Sequence, residues 1–370
     1  MLYPRAQAQY EFINRALTPF PDGFALQVKA EVERMANFSL SLDQKTFLEK
    51  TCYFLTPVYL DYLESYRYDP GEVMIDQTKD VLTLKITGPW YRTILWEVPI
   101  MAIISETFFK MTGQKPISRR QRRLINMNKA RVLGANRVMF ADFGTRRRFS
   151  AKNHEGLIRD VLEHEDHTLI GSSNVHFSHQ FNITPIGTLA HEWFMFHAAA
   201  HGYEMANPSA QDAWVTVFHG DLGIALTDTY TTDVFLSTFD TFNAKLFDGV
   251  RQDSGDPFFF VDKIIQHYKE LRIDPFFKTI VFSDGLTVDK ALRIHQHCNA
   301  RIRDAYGIGT HLTNDVGVTP LNMVIKLTKC RTSSDKPWRN TVKLSDDRGK
   351  YTGDPEELKN CRRIFHLSKG

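Results

Sequence analysis

The sequence predicts an α/β protein whose parallel strands close, or nearly close, into a barrel. Three observations lead there. From residue 138 onward short apolar runs recur, and each ends in a polar cluster, most of them containing a glycine. Helical stretches such as 257–271 and 288–303 lie between most of these runs, and strands alternating with helices make βαβ units and a parallel sheet. Parallel sheets carry their active sites at the C-terminal ends of their strands, so six polar clusters on one edge would converge on one site.

Taken in order, the elements are these. Residues 43–65 read as helical, with Phe47, Leu48, Tyr53, Phe54 and Leu55 among polar neighbours. Val81 to Ile86 alternates like a strand and stops at Gly88-Pro89. Trp90 to Met111 reads as a largely buried helix despite Pro99. Residues 110–137 hold nine basic side chains and no acidic one, centred on Arg119, Arg120, Arg122 and Arg123. The leading reading is the solvated face of a long helix; a polyanion site and a contact to an acidic partner compete with it. Then come the six runs. Val138–Phe140 leads into Asp142–Arg147, Thr168–Ile170 into Gly171–Asn174, and Gly223–Leu226 into Thr227–Thr229. Gly249-Val250 leads into Arg251–Asp256, Thr279–Phe282 into Ser283–Gly285, and Ala305-Tyr306 into Gly307–Thr310.

Composition narrows the class. A chain of 370 residues with 42% apolar and 24% charged residues has a globular balance and the length of two domains, which excludes disordered, collagen-like and coiled-coil proteins. Its net charge of +3 does not make it a nucleic-acid protein. The best apolar run, Ile94 to Ile104, carries Glu97 and Pro99 and is too short to cross a bilayer. The start has no signal-peptide apolar region, and the four cysteines are scattered without a C-x-x-C pair. These features point to free thiols and the cytoplasm, with no membrane partner.

The clusters differ in what chemistry they suit. In Arg251-Gln252-Asp253-Ser254-Gly255-Asp256-Pro257, carboxylates, a hydroxyl and a turn glycine suit sugar hydroxyls or a hard cation such as Mg²⁺. Arg251 suits a phosphate or carboxylate. A capped turn is an equal alternative, since Asp and Ser before a helix are ordinary N-caps. Ser283-Asp284-Gly285 and Gly307-Ile308-Gly309-Thr310 place glycine past a strand, where backbone N–H groups cradle phosphate, though most such glycines simply make turns. After Phe143-Gly144-Thr145 come Arg146, Arg147 and Arg148, and alternation would send at least one toward a pocket. His191 and His197 are not a zinc-protease pair: six residues turn a helix by about 240°, so their rings diverge. His197 and His201 have i, i+4 spacing but no acidic partner between them, which favours a surface pair. His191, on its setting alone, reads as a satisfied core histidine.

The ordered blocks resemble the bacterial and yeast type of nicotinate phosphoribosyltransferase. They are Gly88–Trp90, Ile94–Pro99, Asp142–Ser150, Gly171–Asn174, Thr184–Trp193, Leu222–Asp228 and Arg251–Pro257, then Val281–Asp284, Gly307–Thr310, Pro320–Leu327 and Val342–Asp346. Each block is weak alone; their order and spacing over most of the chain are specific. The resemblance implies an irregular α/β barrel, over 113–321, and a second α/β domain from 1–112, completed by 322–370. It implies the conversion of nicotinate and phosphoribosyl pyrophosphate to nicotinate mononucleotide and pyrophosphate, coupled to ATP hydrolysis. It also implies Mg²⁺, held mainly through substrate phosphates, and a homodimer with sites near the subunit interface. The pyridine nitrogen is already nucleophilic, so the demand is for polyanion binding and a stabilised oxocarbenium-like transition state.

By this resemblance His191 is the residue phosphorylated by ATP, and it shares the catalytic set with Arg251 and Asp253. The implied substrate-binding set is Phe143, Gly144, Arg146, Arg147, Ser173, Asn174, Thr188, Asp256, Ser283, Asp284, Gly307, Gly309 and Thr310. Arg146 or Arg147 would meet the nicotinate carboxylate. Nicotinamide-using relatives carry Asp where Ser173 stands; an Asp accepts from an amide and repels a carboxylate, so Ser173 favours nicotinate. The family's Thr-Asp-x-Tyr-Lys-type segment, whose aromatic residue helps stack the pyridine, lies upstream of the match to Tyr3-Pro4, where this sequence begins. A misplaced or trimmed start is the leading explanation. A catalytically impaired binding or regulatory homologue and a nicotinamide enzyme are the competing functional readings.

Overall fold

The computed structural model describes residues 2–347 and 349–367; the expected domain ends at 1 and 370 lie outside them. Its strands, in chain order, are β1 (Gln7–Asn14), β2 (Val73–Thr78), β3 (Val81–Pro89), β4 (Phe140–Asp142), β5 (Leu169–Ser172) and β6 (Ile224–Leu226), then β7 (Gly249–Gln252), β8 (Thr279–Phe282), β9 (Arg303–Ile308), β10 (Met323–Arg331) and β11 (Arg339–Asn340). The chain folds as two compact units: Met1–Ala8 with Thr188–Gly307 and Lys326–Gly370, and Gln9–Gly187 with Ile308–Ile325. They divide the chain elsewhere than at the expected boundaries, 112/113 and 321/322.

In the first unit β6, β7, β8 and β9 run parallel, with Leu226 opposite Arg251, Arg251 opposite Val281 and Phe282 opposite Tyr306. Gly249 is required by this packing: a Cβ there would lie 1.8 Å from the Thr279 carbonyl oxygen. Helices Pro257–Glu270 and Val288–Cys298 follow β7 and β8, which is the βαβ alternation expected. Asp256 caps the first of them, accepting from the Phe258 and Phe259 amides at 2.8 and 2.9 Å. A core of Leu189, Phe194, Ala206, Leu226, Tyr230, Val342 and Leu344 packs helices 191–201 and 206–218 against the C-terminal segment.

In the second unit β2 and β3 form an antiparallel hairpin, with Val73 opposite Ile86, and β4 and β5 pair in parallel. The described strands do not close into a ring, so the barrel is open and irregular. With β4 and β6 only three residues long, there is little ladder with which to close one.

Three expectations need correction. The 43–65 helix is two, Leu42–Thr51 and Pro57–Ser65, because Thr56 caps a new start and Pro57 cannot continue the first. The 90–111 helix is interrupted by a 3₁₀ turn at Ile94–Trp96, and Pro99 is tolerated because it lies in the first turn of Glu97–Met111. The basic helix, Arg119–Ala135, is not simply a solvated face. Arg119 grips fully buried Asp160 with two N–H groups at 2.5 and 2.7 Å, and Asn126 donates to the same carboxylate at 2.9 Å. Lys129 is buried and donates to Asp315 at 2.6 Å. Arg119 and Lys129 therefore help to hold the helix to its neighbours.

Candidate active site

In the first unit, the ends of β6, β7 and β8, the start of helix 191–201 and the segment around Lys343 meet. His191 is the helix's first residue and is buried. Its Nδ1 lies 3.1 Å from Thr229 Oγ1. Its Nε2 lies 3.0 Å from Asp253 Oδ2, 3.0 Å from Lys343 Nζ and 3.6 Å from Asp228 Oδ1. Burial and then Lys343 push the His191 pKa down to about 4, against the upward pull of Asp228 and Asp253. The ring is thus neutral at pH 7, with one nitrogen unprotonated.

Asp253 is engaged at both oxygens. Ser283 donates to Oδ1 at 2.6 Å, while His191 and the Arg251 guanidinium, at 3.3 Å, face Oδ2. Burial raises its carboxyl pKa, but Arg251, His191 and Lys343 outweigh that and hold it well below the usual range. Arg251 also donates to the Thr188 hydroxyl. Asp228 is fully buried and accepts from Ser254 at 2.6 Å and from Lys343 at 3.0 Å. Asp284 pairs with Lys350 at 2.9 Å. The structure thus brings together His191, Arg251, Asp253, Ser283 and Thr188 of the expected set. Gly307, next to last in β9, lies in the same unit, and Asp256 serves as the helix cap.

His191, Asp228 and Asp253 each offer one ligand atom, all within 4.8 Å of one another. They do not fit a protein-held Mg²⁺. The Lys343 ammonium already stands 3.0 Å from both the His191 nitrogen and an Asp228 oxygen, and Mg²⁺ favours all-oxygen octahedral sites.

The second unit gathers the other expected residues. Fully buried Asp142, at the end of β4, accepts from the Gly144 amide at 2.9 Å, from Ser172 Oγ at 2.6 Å and from His154 Nε2 at 2.6 Å. Burial raises its carboxyl pKa, but His154, Ser172 and the Gly144 amide together bring it below the usual value. Ser172 Oγ in turn accepts from the Asn174 amide at 3.0 Å. One carboxylate therefore ties the Phe143–Arg147 loop to the Ser173–Asn174 loop. The Gly144 carbonyl accepts from Thr313 at 2.8 Å, and a Cβ on Gly144 would lie 2.2 Å from Thr313 Cγ2. Phe143 N–H donates to the Ile308 carbonyl, which brings Gly309 and Thr310 alongside this loop. Arg146 is half exposed and paired with Glu97 at 2.9 Å. Arg147 is mostly spent on structure, its Nε and Nη2 donating to the Met323 carbonyl at 3.1 and 2.8 Å. Burial, then Arg146 and Arg15, lower its pKa to about 10. Ser173 is exposed beside a cleft of about 1610 Å³ that Thr145, Arg148 and Asn174 also line.

The sequence reading missed Asp228, Thr229, Lys343, Asp142 and His154 as site residues. All but His154 stand in clusters or blocks it had singled out, but nothing in their spacing ties them to one another. It also misplaced His197. That residue is fully buried, donates to the Trp193 carbonyl from Nδ1 at 2.7 Å and is covered by the Tyr3 hydroxyl at 3.1 Å from Nε2. His191 and His197 do face different partners.

Comparison with known proteins bears on the chain as a whole. The model of the nicotinate phosphoribosyltransferase (NAPRTase) family matches residues 138–369, and that of its N-terminal domain matches residues 1–105. A nicotinate phosphoribosyltransferase of Desulforapulum autotrophicum is 64% identical over 365 residues, covering 99% of this chain and 94% of its own. The crystal structure of nicotinate phosphoribosyltransferase from Porphyromonas gingivalis superposes with a TM-score of 0.97 at 42% identity, covering 99% of this chain and 95% of that one. The structure of a putative nicotinate phosphoribosyltransferase of Saccharomyces cerevisiae gives 0.92 at 30% identity, with 99% and 94% covered.

Proposed function

This chain belongs to the nicotinate phosphoribosyltransferase family, and from that premise we propose that it joins nicotinate to the ribose of phosphoribosyl pyrophosphate in NAD biosynthesis, coupled to ATP hydrolysis through His191. The observation that carries the coupling is the buried, neutral imidazole held between Asp253, Thr229 and Lys343. A phosphoryl acceptor must offer a nitrogen lone pair, and an imidazole whose pKa is about 4 offers one throughout the neutral range.

The ribosyl transfer needs no general base, because the pyridine nitrogen attacks the anomeric carbon as the C–O bond to pyrophosphate breaks. What the chain supplies is placement and charge. Arg251 faces the leaving phosphates. Asp253 accepts from ribose hydroxyls and steadies His191. In the first unit Ser283, Asp284 and Gly307 bind the ribose and 5′-phosphate, with Asp256 and Thr188 completing that set; in the second, Gly309 and Thr310 offer phosphate-binding groups. Phe143 and Gly144 form the pyridine wall, with Asn174 beside them. Arg146 takes the nicotinate carboxylate: its pair with Glu97 is half exposed and exchangeable, whereas Arg147 is committed to Met323. Mg²⁺ arrives with the substrate phosphates, since the cluster at His191 offers it no cage. The protein works as a cytoplasmic homodimer, and the cleft beside Ser173 is where a second copy completes the site. Among the described residues no helix is long and apolar enough to cross a membrane.

Ser173 decides between nicotinate and nicotinamide. In the Ser173→Asp variant we expect kcat/KM for nicotinate to fall about tenfold or more, with nicotinamide unaffected or improved, from repulsion between carboxylates. Arg146→Ala should raise the nicotinate KM in the same assay. Unchanged nicotinate turnover by Ser173→Asp would overturn the specificity reading.

A further inference from the structure

We propose that Lys343 is the positioning residue of the phosphohistidine centre: it holds His191 as a neutral imidazole and then serves as the counter-charge of its phosphorylated form. The proposal rests on the reading of His191 as the phosphoryl acceptor.

Three observations carry it. First, Lys343 is buried, and its ammonium stands 3.0 Å from His191 Nε2 and 3.0 Å from Asp228 Oδ2. Asp228 anchors it and is itself fixed by Ser254 at 2.6 Å. Second, Lys343 and Asp253 compete for one atom. Nε2 either donates to Asp253 or accepts from Lys343, and it cannot do both in one tautomer. The Thr229 hydroxyl suits either case, because it can donate to Nδ1 or accept from it. Third, the charges balance. The groups facing the imidazole from every element are Asp228 and Thr229 after β6, Arg251 and Asp253 at β7, and Lys343 from the C-terminal segment. Two carboxylates oppose an ammonium and a guanidinium, so a neutral ring leaves the cluster without net charge.

Phosphorylation upsets that balance. The ring lone pair forms a bond to the γ-phosphorus, the P–O bond to the leaving ADP breaks, and its electron pair departs on ADP. The ring keeps its one proton, so the phosphorylated side chain carries one net negative charge. Such a charge in a buried setting needs a partner. Lys343 is already within hydrogen-bond distance of the ring. The N–H that faced Nε2 is free to turn to a phosphoryl oxygen while Asp228 keeps the ammonium in place.

The test uses the full chain with ATP labelled in its γ-phosphate and Mg²⁺, in the wild type, Lys343→Met and Lys343→Arg. Acid-labile label on His191 is measured against time. The His191 imidazole is titrated separately by ¹⁵N NMR in ligand-free protein. We expect Lys343→Met to lose label about tenfold or more and to raise the His191 pKa by about 1, as removal of a neighbouring cation should. Lys343→Arg, which keeps the charge and guards against a simple folding defect, should retain the low pKa and recover much of the label. A merely structural lysine would move the melting temperature and neither of these. Folded Lys343→Met with wild-type label and wild-type titration would overturn the proposal. Absence of label from the wild type would instead reject the phosphohistidine reading; the titration then decides whether Lys343 governs the imidazole.

Discussion

His191 shows how burial and a neighbouring cation hold an imidazole neutral. Its folded pKa of about 4 lies below the ordinary value near 6.5. Between those values the unfolded chain binds a proton that the folded chain does not, so stability rises with pH across that window. The neutral histidine's contribution is fully present above about 6.5 and is lost as pH falls toward 4. Melting temperatures followed from pH 7 to pH 4 should therefore fall less steeply in His191→Ala than in the wild type, and equal slopes would refute the depressed pKa. Legibility at this scale was uneven. Arg251 and Asp253 stand two residues apart beside a glycine turn and are visible as a cluster. Lys343 stands 152 residues from the ring it touches, in an apolar stretch where a lysine looks incidental. The tertiary fold alone makes them neighbours.

At the scale of elements, the loops after β4 and β5 depend on one buried carboxylate. Asp142 is the acceptor for Gly144, Ser172 and His154 together. Asp142→Ala leaves three donors without that partner, and we expect it to cost about 3–5 kcal/mol in urea unfolding, as does breaking a buried charged network. A loss below about 1 kcal/mol would mean that water or a neighbour satisfies those groups instead. The alternation of strands and helices from residue 138 onward was readable because each run ends in turn chemistry. The breaks at Cys52–Thr56 and Ile94–Trp96 were not, because apolar periodicity continues across both. In the sequence Asp142 reads only as the start of an arginine-rich loop. Its work lies inward, toward a histidine twelve residues away on another element.

For the whole molecule, the α/β class and an irregular barrel follow from short strands carrying polar ends; six clusters suggest a barrel closed or nearly closed, and the described strands leave it open. Strands of three or four residues position loops without completing a ring. The 1610 Å³ cleft beside Ser173 mixes apolar residues such as Ile94, Leu95 and Phe177 with Arg148 and Glu106. If, as proposed, a second copy covers it, sedimentation velocity should show a homodimer as the main species at micromolar concentration. A monomer with full activity would contradict a shared site. The central claim, that ATP acts through His191, is tested most directly by nicotinate mononucleotide formation from nicotinate, phosphoribosyl pyrophosphate and Mg²⁺, measured with and without ATP. Wild-type turnover should be stimulated by ATP, and His191→Ala should keep slow turnover that ATP no longer affects. ATP stimulation that survives in His191→Ala would contradict it.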